Sequence, residues 1–201
     1  LDMNDVNEIE ILRGPKSLIF GPNAIGGVVN TNSFGNPKVR FDSFFTRFLI
    51  GSESFNESKY RNFMFYIPFK NNQLNLCYTT KQSTDETNPL GVLENTKSNT
   101  VNYKFGITNY SKIGYLNFII ERLNMDYGIP PTETGHIDGV DILLLKNSQQ
   151  INYHQDISFL GFEQIDLKYN LHDYVHLELV NEDIDYDIFE LIDLKTYHIS
   201  L

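Results

Sequence analysis

His172, His176 and Glu178 recur at even positions of one long alternating segment and so fall on a single face of a strand. Glu133, His136 and Asp138 form a second group in the polar stretch upstream. Imidazole and carboxylate together suit a borderline cation such as zinc. Same-face neighbours on a strand stand ~7 Å apart, so His176 and Glu178 can share an ion only with help from a loop or a neighbouring strand. The plainer reading is that these side chains line a hydrated interior.

Other chemistries find little support. Ser, His and Asp all occur, but no G-x-S-x-G nucleophile elbow appears, so no catalytic residue is assigned and the chain is not read as an enzyme. Asp183, Asp185 and Asp187 read as an acidic loop lacking the glycine and terminal glutamate of a calcium-binding EF-hand. Gly26-Gly27 has neither the G-x-G-x-x-G spacing nor a following Gly-Lys-Ser/Thr, which argues against a phosphate-cradling loop. A net charge of −10 and a pI near 4.9 make nucleic acid an unfavourable partner, since phosphate contacts need clustered Lys and Arg. Acidic groups favour cations instead. The only cysteine, Cys77, cannot form an internal disulfide and reads as a small apolar filler in a strand. Apolar runs fall far short of the ~20 residues of a transmembrane helix, which leaves a β-barrel open.

The elements that would position these residues are strands. From about residue 37 the chain becomes a succession of period-two segments. Phe63, Phe65, Ile67 and Phe69 oppose Asn62, Met64, Tyr66 and Pro68; Leu74, Leu76 and Tyr78 oppose Gln73, Asn75 and Cys77. Val101, Tyr103, Phe105 and Ile107 oppose Asn102, Lys104, Gly106 and Thr108, and Leu116, Phe118 and Ile120 oppose Asn117, Ile119 and Glu121. Ile165 to Leu179 alternates throughout, beyond the ~5–6 residues of an ordinary strand, with Asp173 the one charge on its apolar face. Tight turns at Asn71-Asn72 and at Ser111 to Gly114 alternate with long polar loops at 84–98 and 125–139. Apolar-out, polar-in strands with short and long connections on opposite ends describe a transmembrane barrel. A soluble β-sandwich binding module with uneven loops is the rival.

The glycine-rich beginning sharpens this. Residues 8–32 read EIEILRGPKSLIFGPNAIGGVVNTN. Physically this is an alternating strand through Ile9 and Ile11, stopped at Arg13-Gly14-Pro15, then one helical turn over Lys16 to Ile19, ended by Gly21-Pro22. Gly26-Gly27 allows close backbone approach before Val28 and Val29 resume a strand. The ordered string resembles the closing segment of the plug domain of TonB-dependent outer-membrane receptors. The resemblance implies an all-β protein: residues 1–34 as the C-terminal part of a plug, and residues 35–201 as the N-terminal strands, about eight of the ~22 that such barrels close. Arg13, Gly14, Pro15, Gly21, Gly26 and Gly27 would be plug-framework residues, with Arg13 paired to a wall carboxylate such as Glu121. Leu1 follows no signal segment and Lys195 to Leu201 still alternates, so the chain is expected to be a piece of a longer receptor.

A second resemblance bears on the ligand. Tyr127-Gly128-Ile129-Pro130, His136, Gly139-Val140 and then Asp173-Tyr174-Val175-His176-Leu177-Glu178-Leu179 are similar to a subgroup of these receptors that includes zinc importers, with Pro131 where that subgroup carries glycine. It implies residence in the outer membrane of a Gram-negative bacterium, contact with outer-membrane lipid, and energy-coupled uptake of a scarce extracellular small ligand such as zinc or an iron chelate. It also implies coupling to the TonB energy-transducing complex through an N-terminal segment outside this chain, and no resident cofactor. An outer-membrane barrel with a structural role and no transport is the third alternative.

Overall fold

The computed structural model describes residues 6–15, 24, 26–33, 35, 37, 38, 40–132, 137, 139–159, 162–182 and 185–200. Two compact units divide at residues 39 and 40. In the first, β1 (Val6–Leu12) pairs antiparallel with β2 (Val28–Ser33), Ile11 opposite Val29 and Glu10 opposite Asn30. This is the strand-turn-strand that alternation and glycine corners predict. Gly14 turns the chain out of β1 at φ 74°. Gly27 takes φ 122°, and a Cβ there would lie 2.9 Å from the Leu12 carbonyl oxygen, so the return into β2 requires glycine. The helical turn over Lys16 to Ile19 and Gly21 lie outside the described residues.

The second unit is one eight-stranded antiparallel sheet. Its strands are β3 (Phe45–Ser52), β4 (Lys59–Phe69), β5 (Asn72–Ser83), β8 (Ser98–Tyr110), β9 (Gly114–Ile129), β10 (Val140–Phe159), β11 (Phe162–Glu182) and β12 (Asp185–Ser200), neighbouring in that order. A small separate hairpin, β6 (Glu86–Asn88) with β7 (Gly91–Leu93), occupies the 84–98 connection that reads from sequence as plain polar loop. Pro89 and Leu90 form its turn. The β4–β5 turn is Lys70-Asn71 rather than Asn71-Asn72, because Phe69 already pairs with Asn72 and Lys70 takes φ 53°. The acidic-loop reading is also corrected for Asp185 and Asp187, which lie in β12 opposite Glu182 and Val180; Asp183 lies outside the described residues.

The two faces of this sheet are inverted relative to a soluble one. Asn62, Gln73, Asn75, Thr108 and Asn117 are fully buried, whereas Leu116 is 52% exposed, Phe118 36% and Ile120 41% on the opposite face of the same strands. Asn and Gln are ordinarily surface residues and Leu and Phe core residues. Burial of the polar face is sustained by cross-strand pairing. Asn62 Nδ2 donates to Thr79 Oγ1 at 2.7 Å, Asn117 Nδ2 to Thr108 Oγ1 at 2.9 Å, and Asn152 Nδ2 to Asn117 Oδ1 at 2.7 Å. Amide and hydroxyl side chains thus pair across β4–β5 and across β8–β9–β10, which offsets part of the cost of burying them, while Asn62 Oδ1, Asn75 Nδ2 and Asn102 Oδ1 are buried with no hydrogen bond among the described residues. Cys77 sits buried in the same layer as a thiol outside any disulfide, beside Thr79 and Asn62.

On the exposed face an aromatic row crosses four strands. Phe48 and Phe63 ring centroids are 5.5 Å apart, Phe63 and Tyr78 6.3 Å, and Tyr78 and Tyr103 5.1 Å. Toward the tight turns the next rows on that face are aliphatic and aromatic: Phe65, Leu76, Phe105 and Ile120, then Ile67, Leu74, Ile107, Phe118 and Ile151.

Candidate ligand site

β11 places His172, His176 and Glu178 on the polar face, as the alternation predicts. They do not converge as a triad. His172 Nδ1 faces Ser148 Oγ at 3.0 Å, three rows from Glu178. His176 and Glu178 do meet, Nε2 to Oε1 at 3.3 Å, and the Tyr174 hydroxyl lies 3.1 Å from His176 Nδ1. The tautomer decides what this pair can do. With Tyr174 donating to Nδ1, Nε2 carries the proton toward Glu178. With Nδ1–H donating to Tyr174, Nε2 turns a lone pair toward a cation that Glu178 would share.

Register puts this pair at the mouth of the 130–139 loop. Glu178 lies opposite Ile142 and His176 opposite Leu144, while Val140 opens β10 directly from that loop. Val140, Ile142 and Val180 form a buried apolar cluster with Tyr127 against it, which fixes the strand ends there. Asn95 clamps the base: its Nδ2 donates to the Ile129 carbonyl at 2.9 Å and the Val140 carbonyl at 3.1 Å, the residues at which the chain leaves and rejoins the sheet. Glu133, His136 and Asp138 lie outside the described residues. Among the described residues no three His, Cys, Asp or Glu side chains come together as a metal site.

Two constellations escape the sequence reading. Lys104 and Glu121 are direct cross-strand partners, their charged atoms 3.2 Å apart, with Asn102 Nδ2 donating to the same carboxylate at 3.1 Å. The carboxylate assigned from sequence to Arg13 is therefore held within the sheet itself. The other is His154, whose Nδ1 lies 2.8 Å from Asp166 and Nε2 3.3 Å from Asp156, its ring stacked 5.2 Å from Tyr115. The only hint in sequence is the same-face pair His154 and Asp156, which names no third partner.

His154 sits beside Gly114 at the end of the neighbouring hairpin, past the last apolar row of the exposed face. Its hydrogen bond to Asp166 favours the imidazolium and pushes its pKa above the ordinary imidazole range. Asp166→Asn is expected to bring that titration back down toward neutral-pH histidine, read by imidazole chemical shifts against pH. An unchanged midpoint would show that Asp166 does not hold the proton.

No family model matches the chain, and no curated protein matches it.

Proposed function

We propose that this chain forms part of the plug and the first wall strands of a TonB-dependent outer-membrane receptor, which takes up a scarce ligand such as a metal ion or metal chelate. The observation that carries the reading is the inverted sheet: buried amides and hydroxyls on one face, exposed Leu, Ile and Phe on the other. In water that arrangement exposes apolar surface at ~25 cal/mol per Å². In a bilayer the same face is solvated by acyl chains and the polar face lines the lumen. Strand length supports it, since β9, β10 and β11 run 16, 20 and 21 residues where ~9–11 tilted residues cross a bilayer. The aromatic row would then mark one interfacial girdle, and the long loops the extracellular side.

Ligand contacts would come from Glu133, His136 and Asp138 above the mouth formed by His176 and Glu178. The test is fractionation and uptake with the complete gene product. The receptor reading expects an outer-membrane, heat-modifiable band and zinc or chelate accumulation that collapses when the inner-membrane energy-transducing complex is deleted. Uptake that persists without that complex would make the barrel a passive or structural one, and a soluble monomer in buffer would leave the sandwich. His176→Ala with Glu178→Ala is expected to weaken zinc binding by about tenfold or more, the scale of losing one or two ligands. Calorimetric titration giving wild-type affinity would remove these residues from the site.

A further inference from the structure

The exposed face carries a cleft of about 640 Å³ at the level of the aromatic row, lined by Phe65, Leu76, Phe105 and Ile120 at one end and by Arg122, Asn147 and Gln149 at the other. That volume is in the range of single-ligand sites. It crosses from β4 to β10, four strand spacings or ~19 Å, and its polarity is graded along that length. Phe65 on β4 and Leu76 on β5 form the apolar end; on this face the guanidinium and amides of Arg122, Asn147 and Gln149 come from β9 and β10, while Cys77, Lys104, Glu121 and Ser148 of the opposite face complete the lining. Tyr78 and Tyr103 flank it on the girdle side.

Two cations line the cleft: Lys104, which belongs to the opposite face and is paired with Glu121 at 3.2 Å, and Arg122, which stands on the exposed face. Arg122 is exposed, and its Nε donates to Asn124 Oδ1 at the long distance of 3.5 Å. A guanidinium on an otherwise apolar lipid-facing surface is costly unless it lies near the interface or meets an anion. Asp173, across Asn147 in the same row, is the nearest acidic position on that face, and no salt bridge joins it to Arg122 among the described residues. The guanidinium fork suits a phosphate.

We infer that this cleft holds an anionic membrane lipid, with an acyl chain along Phe65, Leu76, Phe105 and Ile120 and the headgroup phosphate on Arg122, flanked by the Asn147 and Gln149 amides. The inference rests on the membrane reading above. A free anion would leave the apolar end of the cleft unused, and a neutral lipid would leave the guanidinium without a counter-charge.

Photo-crosslinking in vesicles tests it with the complete gene product. Phe105 is replaced by p-benzoylphenylalanine, an aromatic of similar shape, and the protein is reconstituted into phosphatidylcholine with a minor fraction of phosphatidylglycerol. Mass spectrometry of the adducts is expected to show phosphatidylglycerol enriched about tenfold over its mole fraction, the scale of one charge-assisted contact. Arg122→Gln should return the adducts to the bulk lipid ratio while total lipid adduct stays constant. Inorganic phosphate in solution should leave the enrichment intact. Adducts at the bulk ratio with Arg122 present, or enrichment abolished by inorganic phosphate, would overturn the lipid site and leave the membrane reading standing. Absence of any lipid adduct would overturn both.

Discussion

Phe118→Arg is expected to cost about 2–4 kcal/mol of folded stability in a bilayer, the range for a cation near the midplane of a barrel's lipid face. Phe118 stands on the exposed face between Ile107 and Ile151, with the Phe105 and Ile120 row on one side and, on the other, Leu116 between Asn109 and Tyr153. In water the same change would matter little. Phe118 is 36% exposed, an arginine stem can cover its apolar neighbours, and substitutions at such surfaces usually stay within about 0.5 kcal/mol. The two environments therefore differ several-fold for one substitution. Urea titration of the folded, heat-modifiable band in vesicles reads it directly. A midpoint unchanged from wild type would sink the lipid-facing assignment of this face. Ser148→Arg, on the polar face directly opposite Glu121, serves as the internal comparison: the new guanidinium can pair with that carboxylate, so the loss there is expected to be smaller.

The contrast between these faces was legible in the residues because alternation is local. Asn117, Leu116 and Phe118 declare their sides by parity alone, and five of the eight strands of the large sheet, β4, β5, β8, β9 and β11, follow from such segments. What parity leaves open is register and partner. Nothing in the order of residues says that Lys104 meets Glu121 rather than a neighbour two positions along, or that Asn95, far from both, donates to the Ile129 and Val140 carbonyls. Those contacts depend on how many residues each turn consumes, and the Lys70-Asn71 turn, one residue earlier than its composition suggests, shows how easily that count slips. The β6–β7 hairpin is invisible for a related reason: Glu86–Asn88 and Gly91–Leu93 are too short for a period to emerge. The candidate ligand residues were legible as a type and a face. His176 and Glu178 do share a side and do touch, while His172 turns to Ser148, because two rows along a strand exceed the reach of one ion.

Separating Lys104 from Glu121 is expected to destabilise the wall by on the order of 3 kcal/mol, because the charges sit in a nearly dry layer. Their side chains are 10% and 19% exposed, and the groups around them are the amides and thiol of Asn102, Asn75 and Cys77 rather than open solvent. A water-filled lumen at this depth would give the opposite result, since an exposed ion pair contributes roughly 0–1 kcal/mol and salt erases much of it. Exposure decides between the two, and it favours the dry case. Lys104→Met leaves the Glu121 carboxylate with Asn102 as the remaining donor shown, a neutral one, so it should carry most of the loss. Lys104→Met combined with Glu121→Leu removes both charges and should recover a good part of it, since replacing a buried pair by apolar groups of similar size is often close to neutral. The difference is a coupling energy, measured from urea midpoints of the four proteins in vesicles. A coupling of about 2 kcal/mol or more that survives molar salt fits a desolvated bridge; one below ~0.5 kcal/mol would mean that water reaches β8 and β9 and that the polar ladder, not the ion pair, holds these strands in register.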